Sequence, residues 1–212
     1  MRLTRTFQGG NMCQEVFKIV QNMDLSHVEA KIALQCAPVI TGIKIANLLI
    51  VSQSDEELVR EILKKSGITY YRLLRMEEKT TFLLFHRSQL EAYLYDPDVL
   101  RILREDGYTD LSLGGILRHF QGRFQAHMLD KAGFPHEMGL LLGYPTEDVE
   151  GFILHKGQNA LYSGYWKVYR DVDAKKKLFA AYENAKETLI CLLHSGQDMR
   201  TIIECYKERL TA

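Results

Sequence analysis

Residues 134–171, FPHEMGLLLGYPTEDVEGFILHKGQNALYSGYWKVYRD, constrain this chain more than any other stretch. They hold its only tryptophan, Trp166, two of its seven histidines, two of its four prolines and five of its fifteen glycines. Proline fixes φ and glycine opens conformations closed to other residues, so many backbone positions here have little freedom. A functional site fits that description, and so does a tightly turned connector. Pro135 can open a short helix, with Glu137 near its positive end and Gly143 as terminator. Pro145 can open a second over TEDVEGFILHKG that closes at Gly157. The apolar run LLLGY would also suit a strand, but start and stop signals in this order favour two helices. SGYWKVYR (163–170) reads as a strand able to join a sheet.

Helical periodicity dominates elsewhere. Met12, Val16, Val20 and Met23 form one apolar stripe, and Leu25, Val28, Ile32 and Cys36 another. Ser26/Glu29, Ser54/Glu57 and Ser88/Glu91 have capping-box spacing. Ala37-Pro38 is expected to interrupt one helix and open the next. Asp96-Pro97 opens a helix that stops at Gly107, and a further helix spans 112–132, with Gly133 as its stop. Residues from Leu178 to Leu192 and from Met199 to Leu210 give the last two. ITYYRLLR (68–75) and TTFLLFHR (80–87), rich in aromatic and branched residues around the turn MEEK, predict an antiparallel hairpin. The expected fold is α+β: a mostly helical single domain, 1–212, with a small antiparallel sheet made of hairpin 68–87 and a strand near 163–170.

Lysine and arginine balance aspartate and glutamate at 27 each, which disfavours broad nucleic-acid binding, since that needs a basic surface to displace counterions. No run of about 18 apolar residues offers a membrane span, and the first residues lack the apolar core of a secretory signal. A cytoplasmic location is therefore expected, with Cys13, Cys36, Cys191 and Cys205 as reduced thiols. No metal site is expected: there is no H-E-x-x-H, no EF-hand loop and no clustered Cys/His pair.

CAPVITGIKIANLL at 36–49, together with the 134–171 segment, resembles a bacterial family of unknown function, number 3793 among the catalogued domains of unknown function. The resemblance covers nearly the whole chain. It implies no particular activity or cofactor. The family's distribution, chiefly anaerobic Gram-positive bacteria, suits a redox-related accessory role.

Three constellations carry candidate chemistry. Cys36 precedes a proline at an expected helix start, where free N–H groups favour a thiolate. With His136 as base and Glu137 as orienter it would make a thiol-dependent acyl-transfer or hydrolytic enzyme. Cys36 also continues the apolar stripe of Leu25, Val28 and Ile32, and a packed core thiol is the preferred reading of it. His119, Arg123 and His127 follow one another at four-residue steps, with Arg118 and Lys131 nearby, and make a basic ladder that can hold an anion or simply face solvent. Tyr144, Tyr165 and Trp166 supply broad rings for a planar ligand or for a core, and segment 134–169 is expected to bound the principal pocket. The favoured reading is a binding or accessory protein for a small anionic or planar ligand, or for a protein partner. The Cys36/His136 enzyme is the alternative.

Overall fold

The computed structural model describes residues 13–211. Met12, the first residue of the first stripe, lies outside them. Helix α1 (Gln14–Asn22) leads into α2 (Val28–Ile40), and strand β1 (Ala46–Ser52) follows. A 3-10 turn (Gln53–Asp55) enters α3 (Glu56–Leu63). The expected hairpin is present as β2 (Thr69–Met76) and β3 (Lys79–Phe85), turned by Glu77 and Glu78, with Glu77 at a φ of 53°. Five helices come next: α4 (Arg87–Leu94), α5 (Pro97–Glu105), α6 (Leu113–Met128), α7 (Met138–Leu141) and α8 (Thr146–Leu154). Strands β4 (Tyr162–Ser163) and β5 (Lys167–Val168) precede the long α9 (Val172–His194) and α10 (Met199–Thr211).

The sheet is antiparallel throughout, in the order β1–β3–β2. Helices cover both of its faces. Leu49, Val51, Phe82 and Leu84 face a core shared with α1, α2, α3, α9 and α10. Ala46, Leu73, Leu83 and Phe85 face a second core shared with α4 to α8. Burial on both faces explains why β1 and β3 read as continuous apolar runs rather than alternating ones.

One strand expectation and one helix expectation change. The third strand of the sheet is 46–52, not 163–170. The latter region does contain extended backbone, but it pairs only within the separate β4–β5 ribbon. The helix break at Pro38 is also absent: α2 runs through to Ile40. Pro38 lies close enough to the helix end that its missing N–H removes a single bond from the last turn. Its carbonyl then accepts from Lys44 N across the turn into β1.

The three capping boxes do not form as expected either. Helices α2, α3 and α4 begin after His27, Asp55 and His86, with no side-chain cap bond. Glu29 reaches instead to the start of α10 and accepts from Met199 N. Asp96 and Ser112 do cap α5 and α6.

Amide side chains close the sheet edges. Gln35 of α2 both donates to Ile50 O and accepts from Ile50 N, standing in for a neighbouring strand. Gln121 and Gln125 of α6 donate to Arg72 O and Leu73 O on the opposite edge. Such cover removes the template that open strands offer to other chains.

Candidate functional site

Helix α6 buries Ile116, Leu117, Phe120 and Phe124, so His119, Arg123 and His127 come out on its opposite side as a ladder. The turn after α6 then brings Pro135, His136 and Glu137 back against it. Arg123 meets Glu137 as a fork, Nε to Oε1 at 2.5 Å and Nη2 to Oε2 at 3.1 Å. Tyr108 donates its hydroxyl to the same Oε1 at 3.0 Å, and His119 stacks on the Tyr108 ring at 4.2 Å. Glu137 is fully enclosed, at 0 % exposure. A carboxylate in that position needs paired donors; Arg123 Nη2 and the Tyr108 hydroxyl donate to it, while Arg123 Nε makes the close ion-pair contact without a hydrogen bond. Burial first, and the Glu137 charge next, hold the Tyr108 hydroxyl well above its ordinary value.

Two polar atoms beside this fork have no partner. Asp106 Oδ2, just past the end of α5, and His136 Nδ1 are both buried without a hydrogen bond. Burial and then the neighbouring Glu137 charge raise the Asp106 carboxyl, while Arg123 and His136 pull it down. Buried polar groups are normally satisfied, so two orphans in one electrostatic neighbourhood call for an explanation. Rings flank His136. His136 lies 5.5 Å from both Phe134 and Phe152, and His127 meets Phe134 edge-on at 5.5 Å. Phe134 is 41 % exposed, so this aromatic group opens to solvent.

The structure thus gathers Arg123, His127, His136 and Glu137 at one place and puts Cys36 elsewhere. Cys36 lies in the middle of α2 rather than at a helix start, with 0 % exposure. Its Sγ donates to Leu48 O at 3.6 Å, and burial pushes its thiol up to about 12. A thiol protonated at neutral pH and shut from solvent is a poor nucleophile. His136 Nδ1 has no partner and Cys36 is bonded to β1, so the two share no hydrogen bond. Glu137 serves as Arg123's counter-ion, not as the orienter of a Cys/His pair. The ladder's arginine is likewise committed to Glu137 and not free to hold an anion.

The aromatic candidates build a third core. Trp166 is 8 % exposed, stacked on Tyr144 at 4.5 Å and edge-on to Phe179 at 4.5 Å. Tyr165 packs on Phe179 and Tyr182 and donates to Glu183 at 2.7 Å. Asp148, buried in α8, is the hub that sequence reading missed: it accepts from Trp166 Nε1, Tyr169 N and Arg170 N. The glycine density has a packing cause here. A Cβ on Gly151 would meet the Tyr169 ring at 2.5 Å, and one on Gly139 would meet Val149 at 2.8 Å.

Two concavities among the described residues lie away from segment 134–169. One of about 370 Å³ is lined by Met23, His27, Glu29 and Asp198, where the α1–α2 turn meets the α9–α10 turn, and the other is lined by α1 residues such as Phe17 and Gln21. Among the described residues, no three His, Cys, Asp or Glu side chains are grouped as metal ligands, and no helix is long and apolar enough to cross a membrane.

Asp106 and Tyr108 were also missed. In sequence, Asp106-Gly107-Tyr108 reads only as a helix stop, and Gly107, at a φ of 86°, does end α5. Their convergence on residue 137 arises from the path of the chain and has no local signal.

The chain belongs to the family described as "Protein of unknown function (DUF3793)", whose profile matches residues 32–203. No curated protein and no solved structure matches it.

Proposed function

We propose that this protein is a small-molecule-binding accessory protein, with its site on the face formed by the end of α5, the outer side of α6 and the turn at 134–137. The observation that carries this reading is the pair of buried, partnerless atoms, Asp106 Oδ2 and His136 Nδ1, beside half-open rings. A carboxylate oxygen accepts, so the ligand supplies an N–H or O–H to Asp106. The rings of Phe134, Phe152 and His127 favour a flat body. Because Arg123 is neutralised by Glu137, the ligand is planar with a donor edge rather than a simple anion. Amino-substituted heterocycles have that chemistry. The Arg123–Glu137–Tyr108 fork acts as the rigid support that fixes the 134–137 turn against α6.

The test is isothermal titration with 2-aminopyrimidine and adenine against pyrimidine and purine, which lack the amino donor. The amino compounds should bind better than the parent compounds, and Asp106→Ala should remove that preference. No binding of either amino compound, or equal binding of the parent compounds, would refute the reading.

A further inference from the structure

On the far side of the sheet from that face, strand β2 presents a second constellation. Glu56, the first residue of α3, is 8 % exposed and accepts from Thr80 Oγ1. Three guanidinium groups converge on its carboxylate: Arg72 Nη1 at 3.3 Å, Arg75 Nε at 3.4 Å and Arg60 Nη2 at 3.8 Å. Thr80's hydrogen bond, then Arg75 and Arg72, keep that carboxyl below its ordinary value, so it is ionised. One negative charge faces three positive ones. Arg60 has a second partner in Glu57, whereas the guanidinium groups of Arg72 and Arg75 make no other hydrogen bond or ion pair among the described residues. Each guanidinium carries five N–H donors, so most donors of this pair remain unused. All three side chains are about half exposed, at 42–53 %.

The backbone makes this arrangement possible. β2 pairs Arg72 with Phe82 and Leu74 with Thr81, which leaves Leu73 as an extra residue. Strict alternation would send Arg72 and Arg75 to opposite faces. The bulge resets the phase: Leu73 and Leu74 both enter the second core, and Arg75 joins Tyr70 and Arg72 on the α3 side. Bulges are often placed to re-aim a side chain beside a site. Tyr70, 38 % exposed and edge-on to Phe82, forms the adjoining wall.

We propose that Arg72 and Arg75, with Arg60 at the rim and Glu56 holding them in place, bind the phosphoryl group of a small phosphorylated ligand. Arginine's planar fork matches the oxygens of a phosphate, and a shared carboxylate limits the freedom lost on binding. The site is independent of the face described under the proposed function and shares no residue with it.

The experiment is isothermal titration at low salt with inorganic pyrophosphate and, separately, phenyl phosphate. Wild type, Arg72→Gln, Arg75→Gln, Arg75→Lys and a control, Arg87→Gln on α4, are compared, each checked for a normal melt. One equivalent should bind. Either glutamine variant should weaken binding by about tenfold or more, equivalent to about 1.4 kcal/mol, and Arg75→Lys should recover only part of it. Arg87→Gln should stay within about twofold of wild type, because binding by general surface charge alone would fall for any lost cation. Tighter binding of phenyl phosphate than of pyrophosphate would assign an organic phosphomonoester seated on Tyr70, and the reverse order a diphosphate. Failure of wild type to bind either probe, or equal losses in Arg87→Gln and Arg72→Gln, would overturn the proposal.

Discussion

Replacing Arg123 with leucine leaves Glu137 stranded. The carboxylate is fully enclosed, and that one guanidinium supplies its ion pair and one of its two hydrogen bonds, the other coming from the Tyr108 hydroxyl. Leucine keeps part of the aliphatic stem and removes the charge. Breaking a buried ion pair by deleting one partner costs about 3–5 kcal/mol. The Arg123 side chain is 38 % exposed, so water can take its place in part, and the loss should fall near the lower end, about 3 kcal/mol. In a chain of this length each kcal/mol lowers Tm by about 2–4 °C, giving a fall of about 6–12 °C. Urea denaturation supplies the free energy, and Tm is read by scanning fluorimetry. The double variant Arg123→Leu/Glu137→Gln, which has no stranded charge, should recover most of the loss. A loss below about 1 kcal/mol would fall in the range of an exposed ion pair and would refute the reasoning. So would a double variant no better than the single one.

Other consequences are as direct. Iodoacetamide at neutral pH should modify Cys13, Cys191 and Cys205, which are exposed, and spare Cys36 until the protein is unfolded. Peptide mapping reads this, and rapid labelling of native Cys36 would restore the thiol-enzyme alternative. Trp166→Ala should cost about 3–5 kcal/mol, as for other buried large aromatics, because the ring fills the third core and its N–H satisfies Asp148. A variant of near-normal stability would place the ring on a ligand wall instead. Gln35→Leu should cost about 1–3 kcal/mol by leaving the N–H and C=O of Ile50 unpaired, and an unchanged denaturation midpoint would show that this edge of β1 is solvated.

Much of the architecture was legible because its signals are local. The β2–β3 hairpin, the Asp96-Pro97 start, the helix within 112–132 and the two short helices α7 and α8 each follow from residues within a few positions of one another. β1 was not legible, since a strand buried on both faces has no alternation to separate it from a buried helix. Of the candidate site, the ladder was legible from its spacing, but the ion pair between residues 123 and 137 depends on the turn that separates them. The helix start that would have activated Cys36 rested on Pro38, and the helix passes through that proline; the apolar stripe that marked Cys36 as a packed core thiol was the sound signal. Trp166 and its neighbours were ambiguous for a general reason. Aromatic residues at strand spacing look the same whether they face a ligand or a core.

The most direct test of the proposed site is the change that should improve the fold while it destroys binding. The folded-state value of the Asp106 carboxyl lies above its ordinary 3.8. This group's contribution to stability is therefore fully present below the ordinary value and is lost as pH rises through the folded one. Asp106→Asn removes the buried charge behind that loss, so the variant should be more stable than wild type at neutral pH, and the difference should vanish in acid. The same variant, titrated with 2-aminopyrimidine, should show affinity at least about tenfold weaker than wild type, because a charged acceptor has been replaced by a neutral amide worth about 1.4 kcal/mol less. Greater stability together with lost binding is the expected result. A destabilised Asp106→Asn protein, or one that binds 2-aminopyrimidine as wild type does, would contradict the account.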